Sequence, residues 1–435
     1  MFSIFSKKKF YDMNIVDLSP ENCKQNCKDD KLAYMFNNIT VDYPVARGEN
    51  RLTFYLGHPD SVLLDSGKII VAYPLGHGKG ETALKESVDG GITWSERFKH
   101  TPESFKNTIE TPTIYKLDFN NGTQKLVMIS GRPAWLNRGS GNGFDVTYSV
   151  SKDASGKCDG KVWAEHENFY GSNAKRKEFF APTGKWETVV AMASLTKLKE
   201  NGEFVDKWMG IFHLQYPFKV HKTILSFDSH GNMVWSEPTL LLPPEYHTEE
   251  NKLQFCEPEV VRSPKGDELA VLFRTNGKAS YSQVCFSKDE GKTWSKPQNL
   301  SRELTGERHK AEYDPVTGKL IVTFRSIDWY LGKECKKSNW FSRGWLAWVG
   351  DYDNLHKGLE GKGDFVIKLA HIYDRNQEAP QIEAHADTGY AGLTIDSKGN
   401  VVTMSYGKFK PKCNDTFIVA KRFTIKDIQK LIAKK

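Results

Sequence analysis

Short apolar runs broken by Gly, Asp, Asn or Ser recur from Ser61 almost to the end of the chain. The first group reads SVLLD, a Ser66-Gly67 turn, KIIVAY, a glycine-rich loop and TALKES. Runs this short, rich in Val, Ile and Tyr and bounded by turn residues, predict strands rather than helices. The same order returns between positions 257 and 294 as EPEVV, SPKGD, ELAVLFR and YSQVCFS. Further strands are expected in TPTIYKLD, QKLVMISG and VTYSVS, and in ETVVAMASL, WMGIFHL and KTILSF. Two more groups read HKAEYD, KLIVTFRS and GWLAWVG, then YAGLTID, NVVTMSY and TFIVAKRF. Only the closing TIKDIQKLIAKK changes period: Ile425, Ile428, Leu431 and Ile432 share one side of a helix whose other side is basic.

One phrase punctuates the strands. Ser87-Val88-Asp89-Gly90-Gly91-Ile92-Thr93-Trp94 and Ser287-Lys288-Asp289-Glu290-Gly291-Lys292-Thr293-Trp294 both fit S-x-D-x-G-x-T-W. Asp and Ser side chains can bond their own loop, Gly supplies a positive φ and Trp caps the hairpin. Weaker copies are Ser151, Asp153, Gly156 and Trp163, and Ser226, Asp228, Gly231 and Trp235. The four starts are separated by 64, 75 and 61 residues, a period suited to a four-stranded propeller blade with its loops. A chain of 435 residues holds roughly six such units. The expected fold is therefore all-β, a six-bladed β-propeller over residues 51–424. An N-terminal extension (1–50) offers a strand to close the ring, and a short C-terminal helix (425–435) follows.

Composition narrows the function. The 11 Trp, 17 Tyr, 25 Phe, 35 Gly and 18 Pro suit aromatic strands and frequent turns. A net charge of +7 is spread along the chain, mildly favouring anionic ligands without forming a nucleic-acid stripe. The seven cysteines are scattered, and Cys23-x3-Cys27 lacks a second pair at zinc-site spacing, so neither metal nor cofactor is expected. No apolar stretch reads as a signal peptide or membrane span. A cytoplasmic protein with a carbohydrate partner, binding neither nucleic acid nor membrane, is the expectation. Oligomeric state is left open.

Ligands of propellers bind at the central channel, which makes polar residues at the ends of each blade's first two strands the candidates. The paired S-x-D-x-G-x-T-W turns, or Asp boxes, in strands of this order resemble the sialidase (neuraminidase) superfamily over roughly residues 50–424. That resemblance implies a sialidase-like propeller and exo-glycoside hydrolysis of a terminal acidic, sialic-acid-like sugar. It also implies an arginine triad for the substrate carboxylate, a Tyr nucleophile assisted by Glu, and an Asp acid/base. Tyr390, in Tyr390-Ala391-Gly392-Leu393, is similar to the nucleophile's segment, and Glu257, in Glu257-Pro258-Glu259-Val260, to that of its partner. Arg274 and Arg325 each end an apolar strand in the manner of triad members, with Arg343 a competitor for the third place.

Blade 1 departs from the family. His58 stands where the first arginine is expected, and Tyr406-Gly407 stands where a Glu would brace it. The acid/base Asp is also missing from Gly76-His77-Gly78-Lys79-Gly80-Glu81, which leaves His77 as the replacement with Glu81 and Asp60 behind it. Arg308, His309, Arg132 and His213 occupy comparable strand ends and are expected to line the pocket with His58. A direct attack by water, with Glu257 or His58 as base, would invert the sugar. Alternatives are a non-catalytic carbohydrate-binding propeller and a lyase or isomerase of an acidic sugar.

Overall fold

A computed structural model describes residues 14–434 apart from 28, 45–54, 77–80, 109, 133–142, 151–156, 170–187, 216–217, 248–253, 277–280, 330–339, 374–387, 412 and 414. Six antiparallel sheets follow one another along the chain as the blades of a β-propeller. Blade 1 is built on Asp60–Leu63, Ile69–Pro74 and Thr82–Ser87, and blade 2 on Glu110–Asp118, Gln124–Arg132, Gly143–Tyr148 and Glu167–Phe169. In blade 3, Thr188–Glu200 and Glu203–Gln215 form a long hairpin that pairs on to Lys219–Phe227 and Met233–Trp235. Blade 4 comprises Phe255–Arg262, Leu269–Thr275, Gln283–Ser287 and Gln298–Asn299. Blade 5 comprises Gly306–Tyr313, Leu320–Trp329, Trp340–Gly350 and Phe365–Lys368, and blade 6 Ala391–Ile395, Val401–Gly407 and Phe417–Phe423.

The first strand of each blade packs against the first strand of the next, and the sixth returns to the first. Burial follows from that geometry, because a strand covered on both faces needs apolar residues on both. Ile69–Pro74 and Val401–Gly407, each a middle strand of its blade, are buried along their whole length. Six apolar clusters result, each wedged between two adjacent blades.

The N-terminal segment is woven into this ring. Ile15–Asp17 adds a parallel edge strand to blade 5 beside Phe365–Lys368, while Ile39–Asp42 adds an antiparallel strand to blade 6 beside Phe417–Phe423. Early and late chain thus share two sheets, so opening the ring requires breaking both pairings. Lys421 reinforces the closure by donating to the carbonyls of Leu18 at 2.8 Å and Phe36 at 2.9 Å. The helix Ile425–Ala433, capped by Thr424 Oγ1 accepting from the Asp427 N–H, buries Ile425, Ile428 and Leu431 against the same region. No helix among the described residues is long and apolar enough to cross a membrane.

The two full-match turns share most of their bonding. In each, the first Ser (87 or 287) donates to the Asp at 2.8 Å, and that carboxylate accepts the Thr N–H at 2.9 Å and the Thr hydroxyl at 2.6 Å. Gly91 and Gly291 sit at φ 81° and 78°. A Cβ there would meet Val402 of blade 6 or Met209 of blade 3 at 2.7 Å, so glycine is needed both for its dihedral and for the neighbouring blade's approach. The weaker copy at Ser226 uses Asn232 in place of Thr, bonded through both N–H and amide to Asp228. Of the copy at Ser151, only Trp163 lies within the described residues.

Candidate active site

The blades' first strands share an irregularity where they reach the channel. His58, Thr111, Glu257 and Arg308 have φ of 45°, 28°, 47° and 52°, and strand registers skip at Glu110/Thr113, Cys256/Glu259 and Glu307/Lys310. Left-handed backbone is unfavourable for residues with a Cβ and tends to persist where a site requires it. Three of the four precede Pro59, Pro112 or Pro258, residues that fix their own φ and fit where ladder bonding is already interrupted. The repeated bulge turns one side chain per blade out of the normal alternation.

Glu257, Arg274 and Tyr390 meet there. The Tyr390 hydroxyl donates to Glu257 Oε1 at 2.5 Å, and Arg274 Nη1 donates to Glu257 Oε1 at 3.0 Å and to the phenol oxygen at 2.7 Å. Burial alone would raise the Glu257 carboxyl, but the Arg274 guanidinium overcomes it and holds the group at about 2. Tyr390 is pushed well above 10 by burial, reinforced by the Glu257 charge and opposed by Arg274. The resting pair is therefore an ionised carboxylate accepting from a neutral phenol. Gly389, at φ 91°, allows this placement because a Cβ would lie 2.6 Å from the Arg325 Cα.

Arg274 and Arg325 converge on Glu307. Arg274 Nη2 lies 2.8 Å from Glu307 Oε1, Arg325 Nε donates to Oε2 at 2.5 Å, and Arg325 Nη2 also contacts Oε2. The Arg325 guanidinium additionally lies 5.0 Å from the Tyr390 ring centre. Both arginines that family likeness assigned to a substrate carboxylate already hold carboxylates of the protein.

On the opposite side, His58 Nδ1 lies 3.3 Å from Glu110 Oε1. The His58 ring stands 4.9 Å from both Tyr390 and Tyr406, edge-on to the latter at 78°. An aromatic contact thus occupies the position where an arginine and its acidic brace were sought. Two residues further along the same strands, Asp60 pairs with Lys310 at 3.1 Å and accepts from Ile114 N–H at 3.0 Å. Glu259 accepts from Ala311 N–H at 3.1 Å. Burial pushes the Glu259 carboxyl up to about 7 against the pull of Lys310.

The remaining expectations divide. His213 accepts the Glu257 N–H through Nδ1 at 3.2 Å and stacks on Phe218, so it braces the Glu257 backbone. Burial lowers it to about 4, keeping it neutral. His309 Nε2 lies 2.8 Å from the Leu304 carbonyl and its ring stacks on Phe324. His77 and the side chains of Arg132 and Arg343 lie outside the described residues. Glu110 and Glu307 were missed from sequence. Their signal was position, each immediately preceding a left-handed residue, and for Glu110 the Thr111-Pro112 pair that repeats His58-Pro59 and Glu257-Pro258. Among the described residues no group of three or more His, Cys, Asp or Glu could hold a metal ion.

No family model matches the sequence, and no curated protein matches it either. Solved structures do. An α-L-arabinofuranosidase from Fusarium graminearum aligns over 91% of this chain and 99% of its own, at a TM-score of 0.56 and 12% identity. An intramolecular trans-sialidase from Ruminococcus gnavus covers 89% and 98%, at 0.53 and 13%. An α-L-arabinanase from Penicillium chrysogenum covers the same shares, at 0.53 and 14%. At such identities the likeness is one of fold.

Proposed function

We propose that this chain is a glycoside hydrolase of the sialidase-like kind, in which the Tyr390 oxygen attacks the anomeric carbon of a terminal acidic sugar. The hydrogen bond from Tyr390 to the ionised Glu257 carries the reading. A neutral phenol is a weak nucleophile, and the activated alternative is one whose proton has an acceptor in place. As the carbon–oxygen bond forms, the phenol proton passes to Glu257 Oε1. The bond to the leaving group breaks, and its oxygen takes a proton from an acid. Water then attacks the anomeric carbon and gives a proton to the deprotonated acid, while the bond to Tyr390 breaks and its oxygen recovers the proton held by Glu257, leaving the anomeric configuration retained.

Arg274 touches both partners and so limits the charge that builds on either during transfer. The acid is assigned to His77, since Asp60 is occupied by Lys310 and the Ile114 N–H. The fold shared with an arabinofuranosidase, an arabinanase and a trans-sialidase supports a sugar as the partner.

Glu257 at about 2 and Tyr390 well above 10 keep the pair in its resting form across the neutral range. The limbs of a pH–rate profile between about 4 and 9 are then not set by this pair. The deciding experiment is hydrolysis of a panel of aryl glycosides and sialylated oligosaccharides by wild type and Tyr390→Phe. Cleavage by wild type that falls at least about 1,000-fold in the variant is expected. Saturable binding without cleavage would instead make the chain a carbohydrate-binding module.

A further inference from the structure

Arg308 is the odd member of the channel's charged set. Arg274 and Arg325 share Glu307, and Lys310 is held by Asp60. Arg308 is only 7% exposed, yet its Nη1 is buried without a hydrogen-bond partner, and no described carboxylate pairs with it. A guanidinium buried in this manner is unfavourable unless something completes its hydrogen bonds. Its backbone is left-handed at φ 52°, as at Glu257 and His58, whose side chains reach the Tyr390 cluster. Its charge acts on both Glu257 and His213, which puts it beside the same space.

We propose that Arg308 is the specificity-determining residue of this site, the cation that receives the carboxylate of an acidic sugar in place of the missing arginine at position 58. The inference rests on the glycoside-binding reading above and deepens it. A planar guanidinium with an unpartnered N–H group is suited to donate to a carboxylate. Arg274 and Arg325 each already hold a counter-charge in Glu307, so neither depends on substrate to supply one. Substrate binding here supplies the missing counter-charge, whereas a neutral sugar leaves Arg308 buried and unpaired. Discrimination therefore favours the acid.

The test is calorimetric binding of glucuronate, galacturonate and N-acetylneuraminate against glucose, galactose and arabinose, to wild type, Arg308→Met and Arg308→Lys. At least one acidic sugar is expected to bind wild type tenfold or more tightly than the neutral sugars. Arg308→Met should abolish that preference, and Arg308→Lys should retain part of it. The melting temperature separates this role from a structural one: removing an unpaired buried cation should leave it unchanged or raise it, whereas a structural arginine would lower it. Neutral sugars favoured by wild type, no sugar bound at all, or an acid preference surviving in Arg308→Met would each overturn the assignment. Acid-selective binding through Arg308 without cleavage of any aryl glycoside would leave this inference standing while the hydrolase reading falls.

Discussion

Blades 1 and 4 carry the same outer turn and opposite inner chemistry. At the rim, Asp89 and Asp289 accept the same Thr N–H and hydroxyl at the same distances. At the channel, the same left-handed residue before proline is His58 in blade 1 and Glu257 in blade 4. Two residues further, Asp60 is paired with Lys310 while Glu259 meets only a backbone N–H and is pushed up to about 7. Local bonding fixes the rim because every partner lies within the turn. The channel end is free to vary because its partners come from other blades.

The largest expected effect separates the two left-handed residues. Glu257→Gln removes the proton acceptor and should lower kcat by about 1,000-fold, whereas His58→Gln should lower it less than about tenfold. Equal losses in steady-state kinetics would erase the distinction between the blades.

The next effect compares the following layer. Glu259 titrates at about 7 in the folded chain against an ordinary 4.5, so between those pH values the folded state binds more protons than the unfolded one. Its contribution to stability therefore declines as pH rises through that window. Glu259→Gln should gain about 3 kcal/mol over wild type at pH 8 and nothing near pH 4 in urea titrations. Asp60→Asn strips Lys310 of its partner and should lose on the order of 3 kcal/mol at neutral pH. Like signs for the two substitutions would contradict the assignment of one paired and one unpaired carboxylate.

The smallest effect is the common one. Asp89→Ala removes the acceptor for four bonds and Asp289→Ala for three, and each should lower stability by about 2 kcal/mol, matched to within roughly 0.5 kcal/mol because the turns are far apart and alike. Denaturation midpoints that differ widely between the two would show that the turns owe their strength to neighbouring blades instead.

Much of this was legible in the chain. The doubled turn, its period and the strand order point to a ring of blades, and likeness to a known family brings Tyr390, Glu257 and Arg274 together across 133 and 116 positions of sequence. Glu307 was not legible as an arginine anchor, since nothing local to it reveals that two cations from separate strands converge on it. Glu110 likewise acquires meaning only opposite His58. The N-terminal strands carried too little periodicity to show which blades they complete, because an edge strand's place is set by the sheet it joins.

The central claim is that Tyr390 forms a bond to sugar. It is tested most directly by incubating the protein with fluorinated, activated glycosides of acidic and neutral sugars, then locating any adduct by peptide mass spectrometry. A glycosyl adduct on Tyr390, absent in Tyr390→Phe, is the predicted result. An adduct on any other residue, or turnover that inverts the anomeric centre with no adduct, would contradict it.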